Sequence, residues 1–582
     1  MSRRARSFVA QIVPRGRGVA ARPAFEDGPP ITLSRTARGK GRIGDLVVIA
    51  MRGRGGMVSQ VLGRADDPRV AIDALLTDSG RRRGFGRAAR EEAEAAAEAN
   101  VAGDPSRRDL RGQLVVTIDP EGAKDHDDAI AVESIDGGTR LFVHIADVAR
   151  FVPVGGAIDL EAARRGFSTY APGTVEPMLP STLSAGACSV HAGADRAVVT
   201  AEIDFDPDAR VTGTRFYRSL VHSRRDLTYD EVDAHLGGAT FDDSDLEAAI
   251  DRARTLAAAI RKRRLSRGAL ALETGEVRFR FDDDGIAGVE RETQTESHQI
   301  IEEFMVAANE AVARHLLDRG QPGIFRVHED PEQAGIERLY DQLEALGVST
   351  PPLGDGSMTA AQRRQAATAA AAILSSGGHG GAGQVALQVL VLRALKQARY
   401  SVENLGHSGL ASDAYLHFTS PIRRYPDLLV HRALLATLGE PEVAPTPQEL
   451  SEAAVSCSET EREISRLERR TTRLCAALLL EARRRDGAVP QKVEGEVVGV
   501  IGGGAFVAFD VAFEGFLPSR TLGDDYFSVD ALEVSLVGER SGARLALGDT
   551  VEVTVAGTTP LRGRVDLEPV DRVARRRSRR RR

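Results

Sequence analysis

The chain has 582 residues, a formal net charge of −7 and three cysteines. Its length leaves room for about three to five domains, and no apolar run reaches the roughly 18 residues that a membrane-spanning helix needs. The three cysteines are not arranged as a disulfide framework or a zinc finger, so we expect a cytoplasmic protein without membrane contact.

Positive charge is concentrated at the two ends of the chain. Residues 1–54 carry twelve Arg and Lys against three acidic residues, and the last eleven residues carry eight Arg. Cationic ends attract a polyanion and acidic clusters attract metal ions, so this pattern fits a protein that binds nucleic acid. Unrelated solvated surfaces would give the same pattern, and charge alone leaves both interpretations open.

The N-terminal segment predicts a small β-barrel. Short β-type runs such as SFVAQIV and DLVVIAM alternate with turns rich in Gly and Arg. We interpret residues 1–62 as an RNA-binding OB-fold of the cold-shock kind. Residues 63–110 change to Ala, Glu and Arg, which predicts a connector with helical content.

The centre of the chain, residues 111–485, predicts one large α+β domain. Apolar β-type runs alternate there with long Ala-rich helical stretches, and no break in composition divides them. One helix is expected from Ser297, because apolar residues recur at helical spacing at Ile301, Phe304, Met305, Ala308 and Val312. Glu302 and Asn309 share another face of this helix.

The C-terminal segment returns to short strands around glycine-rich turns. Residues 490–570 predict a second OB-type barrel, and residues 571–582 predict an Arg-rich tail that is disordered in isolation. We expect the tail to add non-specific RNA affinity, with structured RNA or the ribosome as candidate partners.

Four aspartates lie close together directly after an apolar strand, in the segment TIDPEGAKDHDDAI at residues 117–130. Carboxylates this close repel one another unless a cation offsets their charge. Because Mg²⁺ takes one or two carboxylates together with phosphate oxygens and water, the set suits two ions, bound by Asp119, Asp125, Asp127 and Asp128. A calcium loop of the EF-hand kind does not fit, because Ala123 stands where a ligand is needed. An acidic surface turn is the remaining alternative.

A second candidate site lies in YLHFTSPIRRYPDLLVHR, residues 415–432. Ser420 followed by Pro421 predicts a helix start, which would bring Arg423 and Arg424 into the first turn. Two guanidinium groups beside free backbone N–H groups would clamp a phosphate. Salt bridges within the protein are the alternative use of such a pair.

Both segments, together with several others in the same order, closely resemble the RNB family of exoribonucleases. The resemblance covers about residues 60–570 and also rests on HIADV, RRGFSTY, EPMLPSTLS, RLSRGAL, IIEEFMVAAN and RVHEDP. It implies an α+β architecture in which a large mixed α/β RNB catalytic domain is flanked by small OB-fold barrels. The implied activity is 3′-to-5′ hydrolysis of single-stranded RNA to 5′-mononucleotides by a monomer with two Mg²⁺ ions, for which Mn²⁺ is a possible substitute.

The resemblance also implies roles for matching positions. Asp119, Asp125 and Asp128 would hold magnesium with Asp127, whose loss would abolish hydrolysis but spare RNA binding. Arg423 would stabilise charge on the scissile phosphate, with Arg424 as an RNA contact beside it.

Further RNA contacts are implied for aromatic and acidic side chains. Tyr170 would stack on the 3′-terminal base, and Tyr229 would determine the length of the end product. The terminal sugar would be bound by Glu302, with Glu303 as a weaker candidate, and by Glu468. In the C-terminal barrel the stacking candidates are Phe506 and Phe509, whereas Phe513 or Phe516 could equally be core residues.

Some positions depart from the family pattern. His126 stands where an apolar or aromatic residue is usual, Ser408 replaces a usual Phe, and the N-terminus has room for one OB domain where many relatives carry two. The competing function is a catalytically inactive RNA-binding paralogue, which would show an interrupted aspartate set. A DNA-directed exonuclease is a third hypothesis, which residue types do not exclude.

Overall fold

The computed structural model describes residues 7–52, 55–81, 84–98, 104–270, 275–283, 285–354, 356–375, 384–440 and 442–572. The predicted Arg-rich tail lies outside the described residues except for residues 571 and 572. In the ranges that are described, every helix is too short or too polar to cross a lipid bilayer.

The N-terminal unit is a five-stranded antiparallel sheet with the order β3-β2-β1-β4-β5. The first four of these strands have the order of a Greek key, as the predicted OB-fold requires. Its elements are β1 Ser7–Arg15, β2 Gly18–Pro23, β3 Ile31–Leu33, α1 Arg35–Arg38, β4 Asp45–Arg52 and β5 Gly55–Arg64.

Two helices follow, α2 (Pro68–Asp78) and α3 (Arg87–Ala97). Asp67 caps α2, because its carboxylate accepts from the N–H groups of Arg69 and Val70, and Pro68 occupies the first turn. These helices lie where the sequence predicts a helical connector.

A six-stranded mixed sheet forms the centre of the molecule, with the order β12-β9-β8-β7-β13-β6. Its strands and the elements inserted between them are β6 Arg108–Asp109, β7 Val115–Asp119, β8 Asp128–Ile135, β9 Gly138–Ala146, α4 Ala157–Arg165, β10 Thr169–Ala171, β11 Thr174–Glu176, β12 Asp195–Phe205 and β13 Val211–Thr228. The central strands are apolar and buried on both faces, which makes the sheet a rigid base for the loops at its edges.

Helices and short hairpins make up the rest of this domain. They are α5 Tyr229–Leu236, α6 Ser244–Ser266, β14 Glu276–Asp282, β15 Gly285–Glu292, α7 Glu296–Asp318, β16 Phe325–Val327, α8 Gln333–Ala345, α9 Ala360–Ser375, α10 Gln384–Ala394, β17 Arg399–Ser401, α11 Tyr425–Thr437 and α12 Pro447–Arg485. Helix α7 confirms the helix predicted from Ser297, and it buries Ile301, Phe304, Ala308 and Val312. Met305 is partly buried against the same core.

The predicted helix start at Ser420 is wrong. Helix α11 begins at Tyr425, with Arg424 at its N-cap and Pro426 in its first turn, so Arg423 and Arg424 precede the helix. A helix from Pro421 would place Pro426 in its interior, where the ring removes a hydrogen bond and clashes with the preceding turn. The second proline therefore sets the boundary.

The C-terminal unit is a closed barrel with the order β18-β19-β20-β25-β24, and a small sheet, β21-β22-β23, is inserted in it. The strands are β18 Val493–Ile501, β19 Gly504–Phe509, β20 Phe513–Pro518, β21 Phe527–Val529, β22 Ser535–Gly538, β23 Arg544–Ala546, β24 Thr550–Thr559 and β25 Arg564–Pro569. The barrel and the mixed central sheet with its helices confirm the predicted α+β class.

The barrel corrects one of the two predicted stacking residues. Phe509 is 3% exposed and packs against Phe513, so it belongs to the core. Phe506 is half-buried and lies across from Phe516, with 5.4 Å between the ring centroids. Residues three apart on a strand point to opposite faces, so Phe506 and Phe509 could not both face RNA.

Candidate active site

The aspartate segment forms the turn between two neighbouring strands of the central sheet. Asp119 is the last residue of β7 and Asp128 is the first residue of β8. Strand β13 runs parallel to β7 and pairs Thr228 with Asp119, so Tyr229 follows at the same edge of the sheet. The topology thus brings residues more than a hundred positions apart to one edge.

Asp127 and Arg423 are in direct contact, although 296 positions separate them. The backbone N–H of Ile422 donates to one Asp127 carboxylate oxygen at 2.8 Å, and Arg423 Nε lies 3.3 Å from the other. The Arg423 side chain is 45% exposed, so its guanidinium group is available to a ligand while it is held beside the aspartates. Both segments singled out in the sequence belong to one site.

Burial makes the negative charge of this site costly. Asp127 is 4% exposed, and burial raises its pKa to about 7 although Arg423 and the Ile422 N–H act in the opposite direction. Burial also raises the pKa of Asp128 well above its usual range, and repulsion from Asp119 and Asp127 adds to the effect. A cation at this position would offset the repulsion.

The carboxylates offer hard oxygen ligands, but they do not form a closed cage. Within the ranges that the structure describes, no three His, Cys, Asp or Glu side chains converge as a metal-binding group. Two oxygens already have partners, because Asp119 contacts His126 at 2.6 Å and Asp125 accepts from the Tyr170 hydroxyl at 3.4 Å. This donor set fits Mg²⁺, which needs one or two carboxylates and completes its shell with phosphate oxygens and water.

Arg424 has an intramolecular partner. Its Nε and Nη2 donate to the two oxygens of Asp427 at 2.9 and 2.7 Å, and Asp427 also accepts from the Ser420 N–H at 2.8 Å. Asp427 is fully buried, so its hydrogen bonds with Arg424 and Ser420 fix the loop that presents Arg423, residues 418–424 (the arginine loop). The geometry favours the salt-bridge alternative for Arg424. The sequence alone does not separate this role from RNA binding, because Arg423 and Arg424 are adjacent.

Tyr170 lies at the edge of the site, where it is 40% exposed. Its N–H donates to Glu468 of α12 at 2.8 Å, and its hydroxyl faces Asp125. The segment that carries it is tied to the arginine loop, because the Ser168 N–H donates to the Arg423 carbonyl oxygen. The structure therefore brings together Tyr170, Glu468 and the aspartates.

Helix α7 carries Glu302 and contacts Tyr229. The ring of Tyr229 stacks on His298 of α7, with 3.7 Å between the ring centroids. Arg264 pairs with both Glu302 and Glu303, but Glu303 is fully buried whereas the Glu302 side chain is 35% exposed. Glu302 is accordingly the one of the two that a ligand can reach.

Asn309 has a structural role that its position beside Glu302 does not indicate. It is 2% exposed, its Nδ2 donates to the Tyr415 hydroxyl at 3.0 Å, and its Oδ1 accepts from the Phe418 N–H at 2.8 Å. It thereby anchors the start of the arginine loop. His298 and Asn309 were not among the predicted site residues, because each acts through a partner distant in sequence. Asp427 was also missed, because its partner Arg424 was assigned to RNA.

Comparison with known proteins identifies the family. The RNB domain matches residues 107–440, and the S1 RNA binding domain matches residues 488–568. Ribonuclease R of Aquifex aeolicus is 34% identical over 89% of this chain and 73% of its own length, whereas for ribonuclease R of Escherichia coli, also 34% identical, the shares are 77% and 56%.

Solved structures agree with the sequence relatives. The apo form of Mycoplasma genitalium RNase R has a TM-score of 0.88 and 26% identity over 97% of this chain and 89% of that chain. Yeast Ssd1, a pseudonuclease, has a TM-score of 0.65 and 16% identity over 93% of this chain and 68% of that chain, a likeness of fold alone. The chain belongs to the RNB family of exoribonucleases.

Proposed function

We propose that this protein is a 3′-to-5′ exoribonuclease that hydrolyses single-stranded RNA to 5′-mononucleotides with two Mg²⁺ ions, which Mn²⁺ can replace. The observation that carries the proposal is the contact between Asp127 and Arg423 beside Asp119 and Asp128. It joins a cation-binding set of carboxylates to an exposed guanidinium group, and together they suit a phosphate that also contacts metal.

Asp119, Asp125 and Asp128 would hold the ions, with Asp127 beside them. When bound, two Mg²⁺ ions activate a water molecule and stabilise the leaving oxygen of the phosphodiester. Asp127 orients Arg423 through Nε, and the Ser420 hydroxyl accepts from Nη2 at 3.2 Å. The remaining N–H groups of the guanidinium group would contact the scissile phosphate. Arg423 stabilises the charge that develops on that phosphate.

The walls of the site would hold the 3′ end of RNA without reading its sequence. The exposed ring of Tyr170 stacks on the terminal base, and each stacked base contributes roughly 1 to 3 kcal/mol. The carboxylates of Glu302 and Glu468 accept hydrogen bonds from ribose hydroxyls. Tyr229 determines the length of the short RNA at which degradation stops.

Outside the catalytic domain, we propose that the N-terminal sheet and the C-terminal barrel both bind RNA. Phe506 and Phe516 form the accessible aromatic pair of the C-terminal barrel. The Mycoplasma relative is known in complex with ribose methylated single-stranded RNA and with double-stranded RNA, so we propose single-stranded RNA as the substrate and structured RNA as a further ligand. The Arg-rich tail would add non-specific RNA affinity or contact the ribosome.

We further propose a monomer that works in the cytoplasm. The cysteines of the described chain, Cys188, Cys457 and Cys475, are free and buried, as suits a reducing compartment. An inactive RNA-binding paralogue is the second candidate, since the fold is also that of a pseudonuclease. The intact aspartate set and its contact with Arg423 favour the enzyme.

The direct test is a cleavage assay with 3′- and 5′-labelled RNA, single-stranded and duplex, in Mg²⁺ or EDTA. We expect mononucleotides from the 3′ end and a short end product, and no cleavage in EDTA. Asp127→Asn should bind RNA without turnover. Equal cleavage of a matched DNA strand would contradict the RNA specificity, and cleavage in EDTA would contradict the metal requirement.

A further inference from the structure

We propose that His126 is a positioning residue that holds one carboxylate oxygen of Asp119 and leaves the other oxygen for the metal ion. The inference rests on the proposed metal site and concerns one of the positions that depart from the expected family pattern. It makes His126 a determinant of how Asp119 ligates and of which ion the site prefers.

His126 is held in place by burial and by hydrogen bonds of its side chain and backbone. It is 7% exposed, and Nδ1 lies 2.6 Å from Oδ2 of Asp119. Its backbone N–H donates to the Ser189 hydroxyl at 3.0 Å, and its carbonyl oxygen accepts from the Val190 N–H at 2.9 Å. The backbone on both sides of His126 is therefore anchored, and this together with burial limits the positions that the ring can take.

Asp119 depends on this contact for its orientation. Its side chain is 22% exposed at the end of β7, and the torsion that rotates an aspartate carboxylate has no narrow preference. Among the described residues, His126 is the one that forms a hydrogen bond with this carboxylate. Because a carboxylate only accepts, Nδ1 carries the proton, and Oδ2 is committed to it.

The consequence is ligation through one oxygen. Mg²⁺ and Mn²⁺ fit octahedral sites in which a carboxylate supplies a single oxygen, whereas Ca²⁺ tolerates larger shells and two-oxygen carboxylates. With an apolar side chain at residue 126, both oxygens of Asp119 would be free to turn toward an ion. His126 thus favours Mg²⁺ or Mn²⁺ over Ca²⁺. It also restricts the rotation of the Asp119 carboxylate before the ion binds, so that binding costs less entropy.

A second histidine in the same domain provides a matched control. Nδ1 of His222 lies 2.9 Å from Asp195, but this pair is on the surface, with 43% of the histidine side chain exposed. His222 precedes Ser223, which pairs with Val115 at the start of β7, whereas Asp119 is the last residue of β7. The two histidines therefore lie near opposite ends of this strand. Replacing His222 removes an equivalent hydrogen bond outside the proposed metal site.

The test is a calorimetric titration of the RNA-free, full-length protein with Mn²⁺ and, separately, with Ca²⁺. We expect His126→Phe to weaken Mn²⁺ binding by about tenfold, in the range that loss of a partner of a ligand gives. His126→Asn, whose amide nitrogen can take the place of Nδ1, should stay within about threefold of the wild type. His222→Phe should leave Mn²⁺ affinity unchanged, and thermal unfolding in EDTA checks that each variant is folded.

The outcomes separate this inference from the proposed function. If the wild type binds Mn²⁺ and Asp128→Asn does not, the metal site stands, and unchanged affinity in His126→Phe overturns the role of His126 alone. Equal losses in His126→Asn and His126→Phe also overturn it, because a retained donor should rescue binding. A preference for Mn²⁺ over Ca²⁺ that falls in His126→Phe and persists in His126→Asn supports it. A wild type that binds no Mn²⁺ refutes the metal site and this inference together.

Discussion

Replacing Asp127 by Asn should stabilise the metal-free protein at neutral pH. Burial raises the pKa of Asp127 to about 7, against roughly 3.9 for an aspartate in an unfolded chain. Between those values the folded state binds more protons than the unfolded state, so the stability of the wild type falls as the pH rises through this window. Asn carries no charge and is free of this effect.

The size of the effect follows from the same pKa. A difference of about 3 in pKa corresponds to about 4 kcal/mol in the free energy of unfolding, fully developed above pH 7. The pKa of about 7 already includes the opposing effects of Arg423 and of the Ile422 N–H, and Asn keeps an acceptor for that N–H. We expect a net gain of about 2 to 4 kcal/mol.

Urea unfolding in EDTA at pH 4, 6 and 8 measures this difference. The two proteins should be equally stable near pH 4, and the variant should gain steadily toward pH 8. Added Mn²⁺ should narrow the gap at pH 8, because an ion that binds the folded wild type stabilises it. A variant that is less stable than the wild type at pH 8, or a stability difference that does not depend on pH, would contradict the raised pKa of Asp127.

Four other substitutions test separate parts of the molecule. Arg423→Ala should lower kcat by about 100- to 1,000-fold with a much smaller change in RNA affinity, and a matched loss of affinity in single-turnover and binding assays would contradict this role. Asn309→Leu leaves the buried Phe418 N–H without its acceptor and should reduce the free energy of unfolding by about 1 to 3 kcal/mol, measured by urea unfolding. Phe506→Ala should weaken RNA binding by about 1 to 3 kcal/mol at unchanged stability, whereas Phe509→Ala should cost about 3 to 5 kcal/mol of stability; the reverse pattern would show that the two faces are misassigned.

Features with a strong local pattern could be predicted from the sequence. Helix α7 shows its apolar stripe at regular spacing, and the structure begins it one residue before the predicted Ser297. The family resemblance assigns the aspartate segment and Arg423 to the same RNA phosphate, and the structure brings the two into contact. Both features could therefore be predicted without the structure, the helix from its spacing and the contact from the motifs.

Features that depend on competing local signals or on burial could not be predicted. Ser420 and Pro421 predict a helix start, but Pro426 makes a later start more favourable. Arg424 resembles Arg423 in sequence, yet the buried carboxylate of Asp427 takes up its guanidinium group. Such ion pairs depend on which charged side chains become buried together in the fold. The order of residues in the sequence does not contain that information.

In the proposed mechanism, metal ions held by the aspartates contact the scissile phosphate beside Arg423. The direct measurement replaces one non-bridging oxygen of the 3′-terminal linkage of an RNA by sulfur and compares hydrolysis rates in Mg²⁺ and Mn²⁺. Because Mg²⁺ prefers oxygen and Mn²⁺ accepts sulfur more readily, we predict slow cleavage of one stereoisomer in Mg²⁺ and recovery in Mn²⁺. An equal rate for sulfur and oxygen substrates of both stereoisomers in Mg²⁺, or no recovery in Mn²⁺, would contradict metal contact with the phosphate.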